Sequence, residues 1–256
     1  MLLTHAGTYR DMEKGSPGLV ARIANILRIW DLSTFHPLIL AINAKAIEEE
    51  TKTALFTLIE SYVIRREICG LTTKNYNKVV TGLVRQVLDN AEPLVPFRKH
   101  LAELTGDASR MPADVQVAEA FARRKAYGVT PTPRLCYILE QLEYGYRTKF
   151  DEITVSTANL TIEHVMPRKW AKHWPLKDGT YVPCESSFEA AMGNHPISDE
   201  AKVLMDARQR LIDTMGNLTL VTGSLNPSIS NGSWPEKREK IGKSLGLGIT
   251  GAIKVF

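Results

Sequence analysis

The chain has 256 residues, 44% hydrophobic and 23% charged, with a formal net charge of +4. This is the composition of a globular protein of one large or two modest domains, and no apolar run approaches the roughly 18 residues of a membrane span. The positive surplus permits a polyanionic partner without requiring one, and three scattered cysteines, Cys69, Cys136 and Cys184, with no CxxC pair, suggest neither a disulfide framework nor a cysteine zinc site.

The opening residues, MLLTHAGTYRDMEKGSPG, lack the basic start, apolar middle and small-residue cleavage site of a secretory signal. A cytoplasmic protein with no membrane partner is expected. From about residue 18 to 147 the apolar spacing is helical, with further helices expected over 37–48, 75–90, 95–104, 114–126 and 133–145. In TALFTLIESYVIRREICG, residues Leu55, Leu58, Ile59, Tyr62 and Ile68 fall near one face; Gly70 is a natural stop, and Arg65 and Arg66 lie in the last turn, where a helix favours cations. In PRLCYILEQLEYGY, Pro133 stands near the start and Leu135, Ile138, Leu139 and Leu142 have core spacing.

After RTKFDEITVSTA the character changes, which places a domain boundary near 150: an α-helical domain over 1–150 and a second domain over 151–256. Two short β-type runs follow, NLTIEHV and GNLTLVTG, separated by a segment rich in Trp, Pro, Gly and polar residues with one helix expected near 198–213. The stretch SWPEKREKIGKSLGLG begins as a helix does, with Ser233 as N-cap, Pro235 in the first turn and Glu236 three places after the cap.

Glu163 and His164 close the first β run, before Pro167; Asn217 opens the second, and Asn226 follows nine places later. A hairpin with a histidine on one strand and an asparagine on the other, and a further polar ligand beyond, has the parts that phosphodiester hydrolysis needs. A neutral imidazole is suited to take a proton from the attacking water. A hard divalent cation held by oxygen ligands stabilises charge on the phosphoryl and leaving oxygens, and Glu163 and Asn226 are suitable donors. Asn217 is placed to hydrogen-bond the facing loop and orient the imidazole.

The run EHVMP, then GNLTLV, then an asparagine nine places after Asn217 resembles the HNH (His-Me finger, ββα-metal) nucleases. A closer resemblance is to the C-terminal nuclease region of GmrSD-type modification-dependent restriction enzymes and SspE-type phosphorothioate-dependent defence nucleases, which extends upstream to LIESYVIRREICGLTTKNYNK and covers roughly residues 40–250. It implies a mainly α fold, a helical bundle followed by a C-terminal domain containing a ββα-metal finger. It implies His164 as general base, Asn217 as the positioning asparagine, and Glu163 and Asn226 as ligands of Mg²⁺ or Mn²⁺. DNA is the implied substrate, cleaved or nicked, with defence against foreign DNA as the setting. Relatives usually carry an N-terminal nucleotide-hydrolysing domain with a DGQQR-type motif; neither that motif nor a P-loop is present. A C-terminal fragment or separate subunit, partnered by such a domain, is therefore expected.

Several assignments stay open. Asn231, followed by Gly232, competes with Asn226 for the third site position or simply forms a turn. Lys237, Arg238 and Lys240 are candidates for DNA phosphate contact or for a plain solvated face. Arg65 and Arg66 are candidates for phosphate contact or for capping and local pairing. His173, Cys184 and His195 match no zinc spacing, and Trp170, Trp174 and Trp234 read as structural. Two other functions compete with the DNA nuclease: a non-catalytic DNA- or partner-binding module with a structural finger, and a ribonuclease.

Overall fold

The computed structural model describes residues 2–14, 18–146, 160–223 and 231–243. The chain forms two compact units, Met1–Ala120 and Phe121–Phe256. No helix among the described residues is long and apolar enough to cross a membrane.

The first unit is helical: α1 (Leu2–Lys14), α2 (Leu19–Trp30), α3 (His36–Ala44), α4 (Glu49–Ile68), α5 (Tyr76–Asp89), α6 (Leu94–Glu103) and most of α7 (Asp114–Arg123). The α4 stripe follows the 3.6-residue period, burying Leu55, Ile59, Tyr62 and Arg66 in succession while Leu58 and Ile68 are half-buried. Gly70 ends α4 with φ +65, a conformation that suits glycine. Its N–H reaches Glu67 O at 2.9 Å and the Leu71 N–H reaches Arg66 O at 2.9 Å, the paired bonds of a Schellman stop. Phe35, Leu38, Ile39, Ile42, Leu83 and Phe97 are buried in the interior of the same unit.

The second unit contains α8 (Thr132–Tyr146), β1 (Leu160–His164), α9 (Ser187–Met192), α10 (Asp199–Leu211), β2 (Leu218–Thr222) and α11 (Trp234–Lys243). The strands form a two-stranded antiparallel sheet, running from Leu160 opposite Thr222 to His164 opposite Leu218. A two-stranded ribbon is marginal alone, and α8 packs against both strands, with Leu135, Ile138 and Leu139 buried and Leu142 half-buried.

The long segment between the strands brings its own core. Trp170, Leu176, Val182, Ala201, Met205 and Ile212 cluster out of water, and the Arg208 guanidinium lies 4.6 Å from the Trp170 ring centre while bonding Trp174 O and Pro175 O at 2.8 Å each. Ser186 and Ser198 cap α9 and α10 by accepting from the N–H groups of Glu189 and Ala201. A self-supporting insertion can be long without disturbing the strand pairing that brackets it. The compact units divide earlier than the boundary expected near 150, because residues 125–127 are bonded into the second unit around Asp213 and α8 covers its strands.

Candidate active site

β1 carries Glu163 and His164 at its end, and successive strand side chains project to opposite faces. Glu163 lies across from Thr219, and His164 across from Leu218. The loop beyond His164 is held by Asn217, which sits in a 3₁₀ turn (Met215–Asn217) just before β2. Asn217 Oδ1 accepts from the Met166 N–H at 2.8 Å; its Nδ2 donates to Met166 O at 2.9 Å and to Ile212 O at 2.8 Å. Its backbone carbonyl accepts from the Val165 N–H at 2.8 Å. One amide thus ties the β1 exit to the β2 entry; it makes no hydrogen bond to the His164 ring, whose partner is Asp213.

His164 is 8% exposed. Its Nε2 lies 3.2 Å from Asp213 Oδ1, and the Tyr127 ring meets the imidazole edge-on at 4.5 Å between centres. Burial holds the imidazole pKa below its ordinary value, only partly opposed by the hydrogen bond and charge of Asp213. Asp213 is fixed from several directions. Lys125 Nζ pairs with Oδ2 at 3.0 Å, and the N–H groups of Ala126 and Tyr127 both donate to the Asp213 carbonyl, at 2.7 and 3.0 Å. Lys125 also forms a β-bridge with Thr214. Burial pushes the Asp213 carboxyl up, but the bonds from Lys125 and His164 outweigh it and hold it ionised.

On the other face, Lys237 is fully buried. Its Nζ donates to Glu163 Oε1 at 2.6 Å and to His164 O at 2.8 Å, with burial lowering the ammonium pKa against the pull of Glu163. Lys237 therefore leaves the phosphate-contact set: a cation withdrawn from solvent onto a carboxylate and a carbonyl cannot reach a DNA backbone. Arg66 leaves it for the same reason. It too is fully buried, with Nη1 on Arg110 O, Nη2 on Asp107 O and Thr72 O, and Nε on the Tyr76 hydroxyl. Arg65 serves its own loop, pairing with Asp114 at 2.6 Å and donating to Pro112 O. Arg238 and Lys240 lie on the exposed face of α11, and Asn231 is exposed ahead of it. Asn226 lies outside the described residues.

The α11 start matches its sequence signature: the Ser233 N–H donates to the Glu236 carboxylate at 2.9 Å, one half of a capping box. Trp174 Nε1 donates to Gly232 O at 3.0 Å, and its ring centre stands 5.9 Å from that of Trp234, joining the insertion to this helix.

The residues around Glu163 offer a divalent cation a limited donor set. Glu163 Oε1 holds Lys237, while Oε2 and the buried hydroxyl of its cross-strand neighbour Thr219 have no hydrogen-bond partner among the described residues. No group of three His, Cys, Asp or Glu able to hold a metal occurs among the described residues, which covers His173, Cys184 and His195. One hard carboxylate oxygen is thus open to an ion, in competition with a buried ammonium.

Asp213, Lys125 and Tyr127 are the site residues that motif reading misses. None belongs to the EHVMP or GNLTLV runs, and only the position of Asp213, four residues before Asn217, hints that its turn lies beside the histidine.

Comparison with curated proteins and with solved structures gives no match. Comparison with protein families matches residues 111–250 to the GmrSD restriction endonucleases, C-terminal domain. That match spans more than half of the chain and all of the geometry around His164. The chain belongs to this family of restriction endonucleases, a membership that supports a nuclease role with DNA as substrate.

Proposed function

We propose that the second unit is an HNH-type DNA endonuclease or nickase, with β1, β2 and α11 as its ββα finger and His164 as general base, serving restriction or anti-phage defence. The observation that carries this reading is the Asn217 clamp, which brings the histidine of one motif and the asparagine of the other to the same end of the hairpin. His164 accepts the proton of the attacking water, and Asn217 keeps the loop beyond it in place. A divalent cation, Mg²⁺ or Mn²⁺, would stabilise negative charge on the phosphoryl and leaving oxygens. Glu163, through Oε2, and Asn226 are its proposed ligands. Arg238 and Lys240, exposed on α11, are the proposed phosphate contacts; they fix register on the duplex without reading sequence. An N-terminal nucleotide-hydrolysing domain or subunit is a proposed partner.

One observation favours a second reading. The buried Lys237–Glu163 pair neutralises the carboxylate that a metal would use, as expected of a structural finger in a non-catalytic DNA-binding module. Supercoiled plasmid incubated with wild-type chain and with His164→Ala, in EDTA, Mg²⁺ and Mn²⁺, separates the two. Metal-dependent nicking or linearisation that falls by about 10²–10⁴-fold in the variant supports a general base. Salt-sensitive binding with no cleavage under any cation supports the binding module. Parallel assays on RNA test substrate class.

A further inference from the structure

Asp213 is more constrained than a surface acid needs to be. Its carbonyl takes two N–H groups from residues 126 and 127, its Oδ2 takes the Lys125 ammonium, and its Oδ1 is left facing His164 Nε2 at 3.2 Å. The same backbone clip carries the Tyr127 ring, whose centre lies 4.5 Å from that of the imidazole in a T-shaped arrangement. A local segment, 125–127, thus fixes two of the groups that surround the histidine. A carboxylate held ionised on one ring nitrogen accepts only from an N–H, so that nitrogen must carry the proton in the neutral ring.

We propose that Asp213 is the positioning residue of the base: by accepting from Nε2–H it fixes the tautomer in which Nδ1 bears the lone pair. Among the described residues nothing bonds Nδ1. The inference rests on His164 acting as general base. In the step, a water O–H proton passes to Nδ1 and the water oxygen bonds phosphorus. The leaving oxygen departs with the electron pair of the broken P–O bond and takes a proton from solvent. Lys125 holds Asp213 ionised and turned toward the ring; it touches no reacting atom.

The test uses the full chain labelled with ¹⁵N-histidine, in wild-type, Asp213→Ala, Asp213→Asn and His164→Ala forms, the last identifying the His164 signals by their loss. Ring-nitrogen shifts of the neutral imidazole are read alongside kcat and KM for plasmid cleavage. Wild type is expected to show a single Nε2–H tautomer. Asp213→Ala is expected to mix tautomers and lower kcat roughly 10- to 100-fold with KM little changed. Asp213→Asn, whose amide oxygen accepts the same N–H, is expected to keep the tautomer and recover most of the rate. An Nδ1–H tautomer in wild type overturns the proposal, and does so even where Asp213→Ala fails to fold. So does an Asp213→Ala protein with wild-type tautomer and kcat. If His164→Ala cleaves as well as wild type, the base assignment itself falls and takes this role of Asp213 with it. If His164→Ala is inactive while Asp213→Ala is unaffected, only the role of Asp213 falls.

Discussion

An ammonium taken out of water loses hydration that its protein partners must replace, and Lys237 has only Glu163 Oε1 and His164 O to do so. Removing one member of such a pair leaves the other charge buried and uncompensated. Lys237→Met is therefore expected to destabilise the protein by about 3–5 kcal/mol, and the Lys237→Met/Glu163→Gln double variant by less than Lys237→Met alone. Urea unfolding of the two singles and the double, read as a cycle, measures the coupling; a Lys237→Met midpoint indistinguishable from wild type would remove the pair from the account. The sequence places Lys237 beside Arg238 and Lys240 in a basic run, and composition marks such a run as surface. Helical geometry separates them: residue 237 faces β1 while 238 and 240 face water. Arg66 follows the same logic, its guanidinium taken up by four oxygen acceptors inside the first unit. A cation whose partners are backbone carbonyls of a distant loop leaves no periodic trace to read.

At the scale of elements, the hairpin depends on a turn residue as much as on its ladder. Asn217 satisfies the Met166 N–H and two carbonyls that would otherwise lie unpaired at the junction of β1 and β2. Asn217→Ala is expected to cost about 1–3 kcal/mol for the groups it leaves unmade. It should also speed hydrogen exchange at the Met166 amide more than at Val165, whose N–H bonds the backbone of residue 217 and keeps its partner. Equal acceleration at both amides would mean that the whole strand end opens and that the side chain is no clamp. The strands and this asparagine were legible because β-branched alternation and the GNLTLV run are local signals. Most helices of the first unit were legible for the same reason, and α11 through its cap. The route from Asp213 to His164 was not, since it depends on residues 125–127 bonding to a turn far along the chain, a non-local pairing without motif or period.

At the scale of the whole molecule, the same non-local pairing decides where the second unit begins. A change in composition near 150 marks where β structure starts, yet the unit that holds the site extends back to Phe121. Composition reports the kind of element, whereas a compact unit is defined by what covers what, and α8 covers the sheet on which His164 stands. Two fragments make the difference measurable. One spanning 111–256 keeps the family-matched region, the 125–127 clip and α8; one spanning 151–256 removes residues 111–150 of that region, and with them the clip and α8, and leaves a two-stranded ribbon with its α8-facing side bare. The longer fragment is expected to unfold cooperatively with dispersed amide signals. The shorter should lack a cooperative transition and expose apolar surface: α11 still reaches Glu163 and His164 through Lys237, but the sheet loses α8, and a two-stranded ribbon depends on the helices packed on it. Equal cooperativity in both fragments would show that the insertion core around Trp170 and Met205 supports the hairpin unaided. In that case the 125–127 segment would act on the imidazole, and α8 would cover the sheet, without either being needed for the fold that presents it.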